Sequence, residues 1–238
     1  MALDLSVVVP LYNEAPNVNA LCAALRAALD PTEMNYEVLL VDDGSDDATP
    51  GLITKEAEAD SRFVSVPLDV NRGQARALTA GFRRSKGAIV ASLDADLQND
   101  PADLPALIAD VREGADAACG YRRFRHDDWL GKLLPSLIFN ALLRRLFGVP
   151  VHDNSCTLRA YRGEVARSLD LAFDDLSFIP VMLHLRGLTV VERFARHHPR
   201  LAGTAKYDSP RRFVYTLRKM IRLWREKRTI QRPKSELD

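Results

Sequence analysis

The sequence predicts an α/β protein whose mostly parallel central sheet is covered by helices on both faces. Between residues 4 and 120, short apolar runs of strand length alternate with helical segments, and this alternation is typical of βαβ units. The runs are rich in Val, Ile and Leu, as in strands that are buried on both faces. With 238 residues, 47% of them hydrophobic, the chain can form one α/β domain with a substantial core.

The first half of the chain contains five expected strands and four expected helices. The strands are expected at residues 5–9, 36–41, 63–68, 88–93 and 115–120. The helices are expected at residues 15–29, 47–59, 74–85 and 101–113. The last of these helices has a clear start signal, since Asp100 suits the N-cap and Pro101 the first turn.

The second half is less regular. Its expected elements are a helix at 129–146, a strand at 156–161, a short helix at 163–169 and a strand at 188–194. We divide the chain into a catalytic domain at 1–210, a basic amphipathic helix at 211–230 and a polar tail at 231–238, which should fray.

Several classes of protein are disfavoured by composition. The three cysteines have no paired spacing, so neither a disulfide framework nor a zinc site is indicated. The N-terminus lacks the basic region of a signal peptide, and no run approaches the roughly 18–20 apolar residues of a membrane span. We therefore expect a cytoplasmic protein.

Two carboxylates, Asp94 and Asp96, follow the expected strand at 88–93. Ligands bind at the carboxyl ends of strands in open α/β sheets. Carboxylates so close together repel each other, and Mg²⁺ or Mn²⁺ would remove that repulsion. The pair therefore predicts a divalent metal that binds a diphosphate. The alternative interpretation is a solvated acidic loop.

Polar residues also follow the other early strands. They lie at residues 10–14, 42–45 and 71–73, and capping alone does not readily explain their recurrence at successive strand ends. There is no glycine-rich dinucleotide fingerprint and no P-loop. A nucleotide held by carboxylates and a metal is the chemistry of a sugar-nucleotide site.

The motifs PLYNE, VDDGSDD, NRGQARALTAGF and SLDADLQNDP resemble those of inverting family-2 glycosyltransferases, which have the A-type fold with a Rossmann-like nucleotide-binding half. The later motifs GYR, HDNSCTLRAYR and HHPR…GTAKY resemble the branch that includes dolichol-phosphate mannose synthases and undecaprenyl-phosphate sugar transferases. The resemblance covers roughly residues 4–210.

The resemblance implies a role for each matching residue. The nucleotide site would comprise Pro10, Tyr12, Glu14, Asp42 and Asp43. The metal and donor diphosphate would be held by Asp94, Asp96 and Gln98, with Arg200 and Lys206 near the phosphates and Asp96 also acting in catalysis. The acceptor phosphate would be bound by Arg122, Lys132 and Ser136. Relatives usually carry an Arg where this chain has Leu137, which weakens the acceptor assignment.

Asp153, the second predicted catalytic residue, has two functional interpretations. A polyprenyl phosphate is already largely ionised near neutral pH, because its second pKa is about 6, so Asp153 would position Arg122 or the acceptor. If the acceptor is a hydroxyl, Asp153 would be the general base. A turn or N-cap carboxylate is the structural alternative.

The C-terminal region is strongly basic. From residue 200 to 234 there are twelve Lys and Arg and two acidic residues. One apolar stripe contains Phe213, Leu217, Met220, Ile221 and Trp224. Such a stripe beside arginines predicts that the helix at 211–228 lies in a membrane interface. Docking on its own domain or on a partner subunit is the alternative.

The sequence thus predicts metal-dependent inverting transfer of one sugar from a UDP- or GDP-linked donor to a polyprenyl phosphate. We expect the protein to be peripheral at the inner face of the cytoplasmic membrane. The closest alternative transfers to a sugar or glycolipid hydroxyl, and a non-catalytic scaffold is a further one. A nucleic-acid partner is not expected, since no reader motif occurs. The donor base, the sugar and homo-oligomerisation stay open.

Overall fold

The computed structural model describes residues 3–122, 134–172, 175–199 and 210–230. Their strands form one seven-stranded sheet. The strands are β1 (Leu5–Leu11), β2 (Tyr36–Asp42), β3 (Phe63–Pro67), β4 (Ile89–Ser92), β5 (Ala117–Tyr121), β6 (Arg159–Arg162) and β7 (Val190–Phe194). The helices are α1 (Val18–Leu29), α2 (Thr49–Ala59), α3 (Gln74–Arg84), α4 (Leu104–Arg112), α5 (Leu134–Phe147), α6 (Gly163–Ser168), α7 (Ile179–Leu185) and α8 (Pro210–Ile230).

The order of strands across the sheet is β3-β2-β1-β4-β6-β5-β7. Among the described strands, only β6 is antiparallel to its neighbours, β4 and β5. The chain runs outward from β1 through β2 to β3 and then returns to β4 on the other side of β1. That reversal is a topological switch point, where open α/β sheets bind ligands beyond the carboxyl ends of their strands.

The core lies on both faces of the sheet. Alternate residues of β1 point to opposite faces, so Val8 packs in one apolar cluster with Phe82 of α3, while Val7 packs in the other with Leu25 of α1. α3 approaches β1 closely at Gly81, where an added Cβ would lie 2.3 Å from Cγ1 of Val8. The continuous apolar strand runs of the sequence are therefore buried on both sides, as expected.

The predicted mostly parallel sheet is confirmed. Every predicted strand is present, with ends shifted by up to three residues; β6, for example, begins at Arg159. The helix expected at 101–113 starts as a 3₁₀ turn at Pro101–Asp103 before α4. The sequence analysis missed α7, which follows a 3₁₀ turn at Asp175–Phe178.

Helix α8 packs on the domain through part of its predicted apolar stripe. Met220 of the stripe and Leu223, which was not predicted to belong to it, are buried in the core, whereas Leu217, Ile221 and Trp224 are exposed. Polar bonds add to this packing, since the Tyr215 hydroxyl donates to Asp175 at 2.9 Å and Nζ of Lys219 lies 3.0 Å from the same carboxylate. None of the described helices combines the length and apolar character needed to cross a membrane.

Candidate functional site

The metal-binding loop predicted from the sequence begins where β4 ends. Oδ1 of Asp94 accepts a hydrogen bond from Nε2 of Gln74 at 2.5 Å, and Thr157 also bonds this carboxylate. Oδ1 of Asp96 accepts the backbone N–H of Gln98 at 3.1 Å. Between Asp96 and Gln98 the chain turns sharply, since Leu97 has a φ of 56°, a left-handed conformation that is rare for a leucine.

The electrostatics of this loop favour a cation. Burial, together with the negative charge of Asp96, raises the pKa of Asp94 to about 6. Within the described residues, no group of three His, Cys, Asp or Glu side chains is placed to hold a metal alone. Proteins commonly bind Mg²⁺ through one or two carboxylates together with the phosphates of a substrate. Asp94, Asp96 and Gln98 stay the residues predicted to hold the metal.

The ends of β1 and β2 form the side of the site predicted to bind the nucleoside. Oδ1 of Asp42 accepts both the backbone N–H and the hydroxyl of Ser45, at 3.2 and 2.5 Å. The side chain of Asn13 exchanges two hydrogen bonds with Asp46. Glu14 accepts from Nδ2 of Asn17 at 2.6 Å. These bonds fix two adjacent loops at the carboxyl edge of the sheet.

Asp43 holds a third loop in place. Its two carboxylate oxygens accept the backbone N–H groups of Arg72 and Gly73, at 2.9 and 2.8 Å. Burial raises the pKa of Asp43, although the two backbone hydrogen bonds oppose this effect. The neighbouring Gly44 has a φ of 70°, and a Cβ there would lie 2.7 Å from the backbone N of Asn71. Asp43 and Gly44 together therefore position the loop that precedes α3.

The predicted acceptor side contains a buried ion pair. Arg122, just after β5, donates from Nε and Nη2 to the two oxygens of Asp153, at 2.7 and 3.1 Å. The side chains are only 10% and 4% exposed. This is the bidentate geometry that makes Arg–carboxylate pairs strong. The pair lies beside the metal-binding loop, since the backbone N of Cys156 donates to the carbonyl oxygen of Asp153 and the Sγ of the same cysteine contacts Asn99 of that loop. The positive charge of Arg122 also favours the ionised form of Asp94.

Glu192 on β7 holds the backbone at His152 and Asp153 in place. Its Oε1 accepts the backbone N–H groups of His152 and Asp153, at 2.7 and 2.9 Å. Its Oε2 lies 2.8 Å from Nδ1 of His152. The sequence analysis missed this residue, because a lone Glu in a strand carries no motif.

Two further contacts escaped the sequence analysis. Gln74 lies within the NRGQARALTAGF motif, but nothing in that motif predicts that its side chain bonds Asp94. Arg196 donates from Nε and Nη2 to Oδ1 of Asp103, at 3.0 and 2.8 Å. It also lies 3.2 Å from Asp100. Burial opposes ionisation of Asp100, but the Ala102 N–H, His198 and Arg196 together hold its pKa below the usual value.

The structure brings most of the predicted site residues to one edge of the sheet. Pro10, Tyr12, Glu14, Asp42 and Asp43 lie at the ends of β1 and β2, and Asp94, Asp96 and Gln98 follow β4. Arg122 and Asp153 pair beside them, while Ser136 lies in the first turn of α5. Lys132, Arg200 and Lys206 are outside the described residues. The roles of all these residues stay predictions.

The mostly parallel sheet, with Asp94 and Asp96 following β4 at its switch point, has the arrangement expected of the predicted A-type glycosyltransferase fold. The chain belongs to glycosyl transferase family 2, whose family model matches residues 6–170. The predicted family is thereby confirmed.

Curated relatives place the chain near one branch of the family. A protein of Aeromonas hydrophila is 38% identical over 203 residues, which are 85% of this chain and 62% of that protein. A protein of Pseudomonas fluorescens is 38% identical over 210 residues, which are 88% and 61% of the two chains. Both are named undecaprenyl-phosphate 4-deoxy-4-formamido-L-arabinose transferase. The predicted resemblance to this branch is confirmed, although the chain spans less than two thirds of these relatives.

Solved structures confirm the predicted fold. Mannosyl-3-phosphoglycerate synthase from Rubrobacter xylanophilus has a TM-score of 0.71 at 18% identity, covering 98% of this chain and 77% of that one. Glucosyl-3-phosphoglycerate synthase from Mycobacterium tuberculosis, in complex with Mn²⁺, UDP and glucosyl-3-phosphoglycerate, has a TM-score of 0.67 at 19% identity, covering 94% and 80%.

Proposed function

We propose that this protein transfers one sugar, with inversion, from a UDP- or GDP-linked donor to a polyprenyl phosphate, and that the reaction depends on Mg²⁺ or Mn²⁺. The observation that carries the proposal is the Arg122–Asp153 pair beside the metal-binding loop. It puts a guanidinium, the side chain best suited to bind phosphate, next to the predicted donor site.

Asp153 is poorly placed to remove a proton. Its two oxygens accept four hydrogen bonds. Arg122 donates three of them, from its backbone N, Nε and Nη2, and the backbone N of Ser155 donates the fourth. A carboxylate has about four lone-pair sites in all. An acceptor that is already anionic needs no base, whereas a hydroxyl acceptor does. The pairing therefore favours a phosphate acceptor.

The donor side is suited to a nucleoside diphosphate. When bound, the metal neutralises charge on the departing diphosphate. Asp94, Asp96 and Gln98 would hold the metal, and the loops after β1 and β2 would hold the nucleoside. One phosphate oxygen of the acceptor then forms the new bond to the anomeric carbon as the bond from that carbon to the donor diphosphate breaks. No proton has to move.

The neighbourhood of Ser136 supports a lipid acceptor. Leu137 and Ile138, at the start of α5, are 48% and 61% exposed. Relatives in the branch usually carry an Arg at the position of Leu137, and its loss weakens phosphate binding there. The exposed apolar side chains beside Ser136 nevertheless suit a lipid chain. A polyprenyl chain can cover such side chains. The names of the curated relatives, which specify undecaprenyl phosphate, support the same acceptor.

We also propose that the protein binds the inner face of the cytoplasmic membrane through α8. The exposed side chains of Leu217, Ile221 and Trp224 lie beside exposed Arg218 and Arg222. An apolar stripe flanked by arginines suits an anionic lipid surface.

A transfer assay tests the proposed function. Labelled UDP- and GDP-sugars are incubated with the protein, undecaprenyl phosphate, and Mg²⁺ or Mn²⁺, with Asp96→Ala as the inactive control. We expect a labelled lipid that requires both metal and Asp96. Donor turnover without lipid product would support the hydroxyl acceptor, the alternative that the Leu137 replacement favours. No metal-dependent turnover of any donor would refute both.

A further inference from the structure

The chain that follows β7 lies along the metal-binding loop. The backbone N of His198 donates to the carbonyl oxygen of Gln98 at 2.8 Å. His197 forms an antiparallel bridge with Asn99. His197 and His198 therefore pair with the end of the metal-binding loop, just after Gln98, one of its three predicted metal ligands.

Charged side chains strengthen this pairing. The backbone N of Arg196 donates to Oδ2 of Asp103 at 2.7 Å, while its guanidinium binds Oδ1 of the same carboxylate. Oδ2 of Asp100 lies 3.2 Å from Nη1 of Arg196 and 3.2 Å from Nε2 of His198. We call Arg196, His198, Asp100 and Asp103 the clamp.

The clamp is connected to the first carboxylate of the site. Nδ2 of Asn99 donates to Oγ1 of Thr157 at 3.1 Å, and Thr157 in turn bonds Asp94. The loop between Asp96 and Asp103 is thus held on one side by the clamp and on the other by Thr157. Supporting contacts of this kind orient metal ligands without touching the metal themselves.

The clamp is poorly explained as a source of stability. The side chains of Arg196 and His198 are about half exposed, and exposed ion pairs contribute little to the free energy of folding. Five polar contacts from Arg196 and His198 nevertheless converge on Asp100 and Asp103. Their arrangement restricts where the loop can lie.

We propose that the clamp positions the donor site. It keeps Asp96 and Gln98 in the geometry that binds metal and diphosphate, and it joins their loop to the segment that continues into Arg200 and Lys206. Arg196 and His198 are positioning residues, since they act through the loop. This inference rests on the proposed function.

The chain offers a matched control for Arg196. Arg193, on β7, binds Asp110 of α4 through the same two nitrogens, Nε and Nη2, although these bond both carboxylate oxygens rather than one. It is about as exposed as Arg196, at 47% against 48%. The Arg193–Asp110 pair joins β7 to α4 and does not involve the metal-binding loop. Arg193→Ala therefore removes an equivalent ion pair without releasing the clamp.

The test measures nucleotide affinity and local protection in the full chain. Calorimetry gives the affinity for UDP and GDP with Mn²⁺ in the wild-type protein and in Arg196→Ala, Asp103→Ala and Arg193→Ala. We expect the two clamp variants to bind about 10–100-fold more weakly, and Arg193→Ala to bind like the wild type. Arg196→Lys, which keeps the charge but loses the planar fork, should be intermediate. Melting temperatures of Arg196→Ala and Arg193→Ala should fall equally.

Hydrogen exchange tests the clamp independently of nucleotide binding. The amide of His198, which donates to Gln98, should lose protection in Arg196→Ala and keep it in Arg193→Ala. Unchanged protection, or nucleotide affinity equal to that of Arg193→Ala, would overturn the inference. If the wild-type protein binds neither nucleotide with Mn²⁺, the proposed function itself fails, and the role of the clamp in donor binding fails with it.

Discussion

At the scale of single residues, Asp153 distinguishes the two candidate acceptors. Replacing it with Asn leaves the buried Arg122 without its charge partner, and Arg122→Lys loses the same bidentate bond while Asp153 stays intact. If Asp153 positions Arg122 for a lipid phosphate, both variants should raise the KM for that acceptor by about tenfold, each with a modest fall in kcat. Steady-state kinetics with undecaprenyl phosphate at varied concentration measure this.

The other interpretation has a different signature. A general base contributes about 10²–10⁴-fold to the rate, so Asp153→Asn would then lose kcat by that factor while Arg122→Lys kept it. A large loss of kcat in Asp153→Asn but not in Arg122→Lys would therefore support a hydroxyl acceptor rather than a lipid phosphate. Melting curves of both variants control for misfolding, since a buried unpaired charge costs about 3–5 kcal/mol.

At the scale of secondary-structure elements, two helical glycines should respond in opposite ways to the same change. At Gly81 a Cβ would lie 2.3 Å from Val8 and 3.0 Å from Val41, whereas at Gly51 in α2 nothing lies within 4 Å. Gly81→Ala should destabilise the protein by about 1–3 kcal/mol through overpacking. Gly51→Ala should stabilise it by about 0.5–1 kcal/mol through helix propensity. Urea unfolding of both variants checks this, and stabilisation by Gly81→Ala would contradict the close packing of α3 on β1.

A network of ion pairs joins α1, α2 and β3 at the edge of the sheet opposite the site. Asp60 binds Arg62 and Arg26, with N–O distances of 2.9 and 3.0 Å. The hydrogen bonds from Arg62, together with the one from Arg26, hold the pKa of Asp60 well below its usual value, although partial burial opposes this effect. The folded state therefore binds this proton less tightly than the unfolded state, so the stabilisation is present above about pH 4 and is lost as the pH falls further.

Asp60→Asn tests this network. The variant should be less stable than the wild type by on the order of 1–2 kcal/mol at pH 7, and the difference should shrink below pH 4. Chemical unfolding between pH 3 and 7 measures it, with Asp170→Asn as a control, because Asp170 forms only exposed pairs. A difference that is constant with pH would exclude the proton linkage.

At the scale of the whole molecule, local patterns predicted the sheet and the donor loops but not the contacts between distant segments. The strand ends at Asp42 and Asp94 were predictable because apolar runs and turn residues are local signals. The bond of Arg196 to Asp103 joins residues 93 positions apart, and Glu192 supports Asp153 across 39 positions. No local pattern encodes such contacts. α7 was missed because nearly all of its residues are apolar and buried, so it has no amphipathic period.

The same limit applies to α8. Its hydrophobic period correctly predicted a helix with an apolar stripe, yet periodicity does not reveal which part of the stripe packs on the domain. Met220 and Leu223 point inward, and the bond from Nζ of Lys227 to the carbonyl oxygen of Leu146 holds the helix beside α5. On a helical wheel, Leu217, Ile221 and Trp224 lie on the side away from the Tyr215 and Lys219 contacts with Asp175. One face of the helix thus docks on its own domain, and binding to a membrane interface stays a prediction for the exposed part of the stripe.

The exposed apolar residues of α8 predict how the protein binds lipid. Replacing Leu217, Ile221 and Trp224 together with Ser should abolish co-sedimentation with vesicles of anionic phosphatidylglycerol, because these side chains are exposed, whereas Met220 and Leu223 are buried. Wild-type binding should weaken as salt rises from about 0.05 to 0.5 M, since screening shortens the reach of the arginines. Val64→Ser, which removes an exposed apolar side chain from β3, should leave binding unchanged. If the triple variant keeps its melting temperature and still sediments, the exposed stripe of α8 does not account for lipid binding. If the wild type fails to bind at low salt, membrane binding through α8 is refuted.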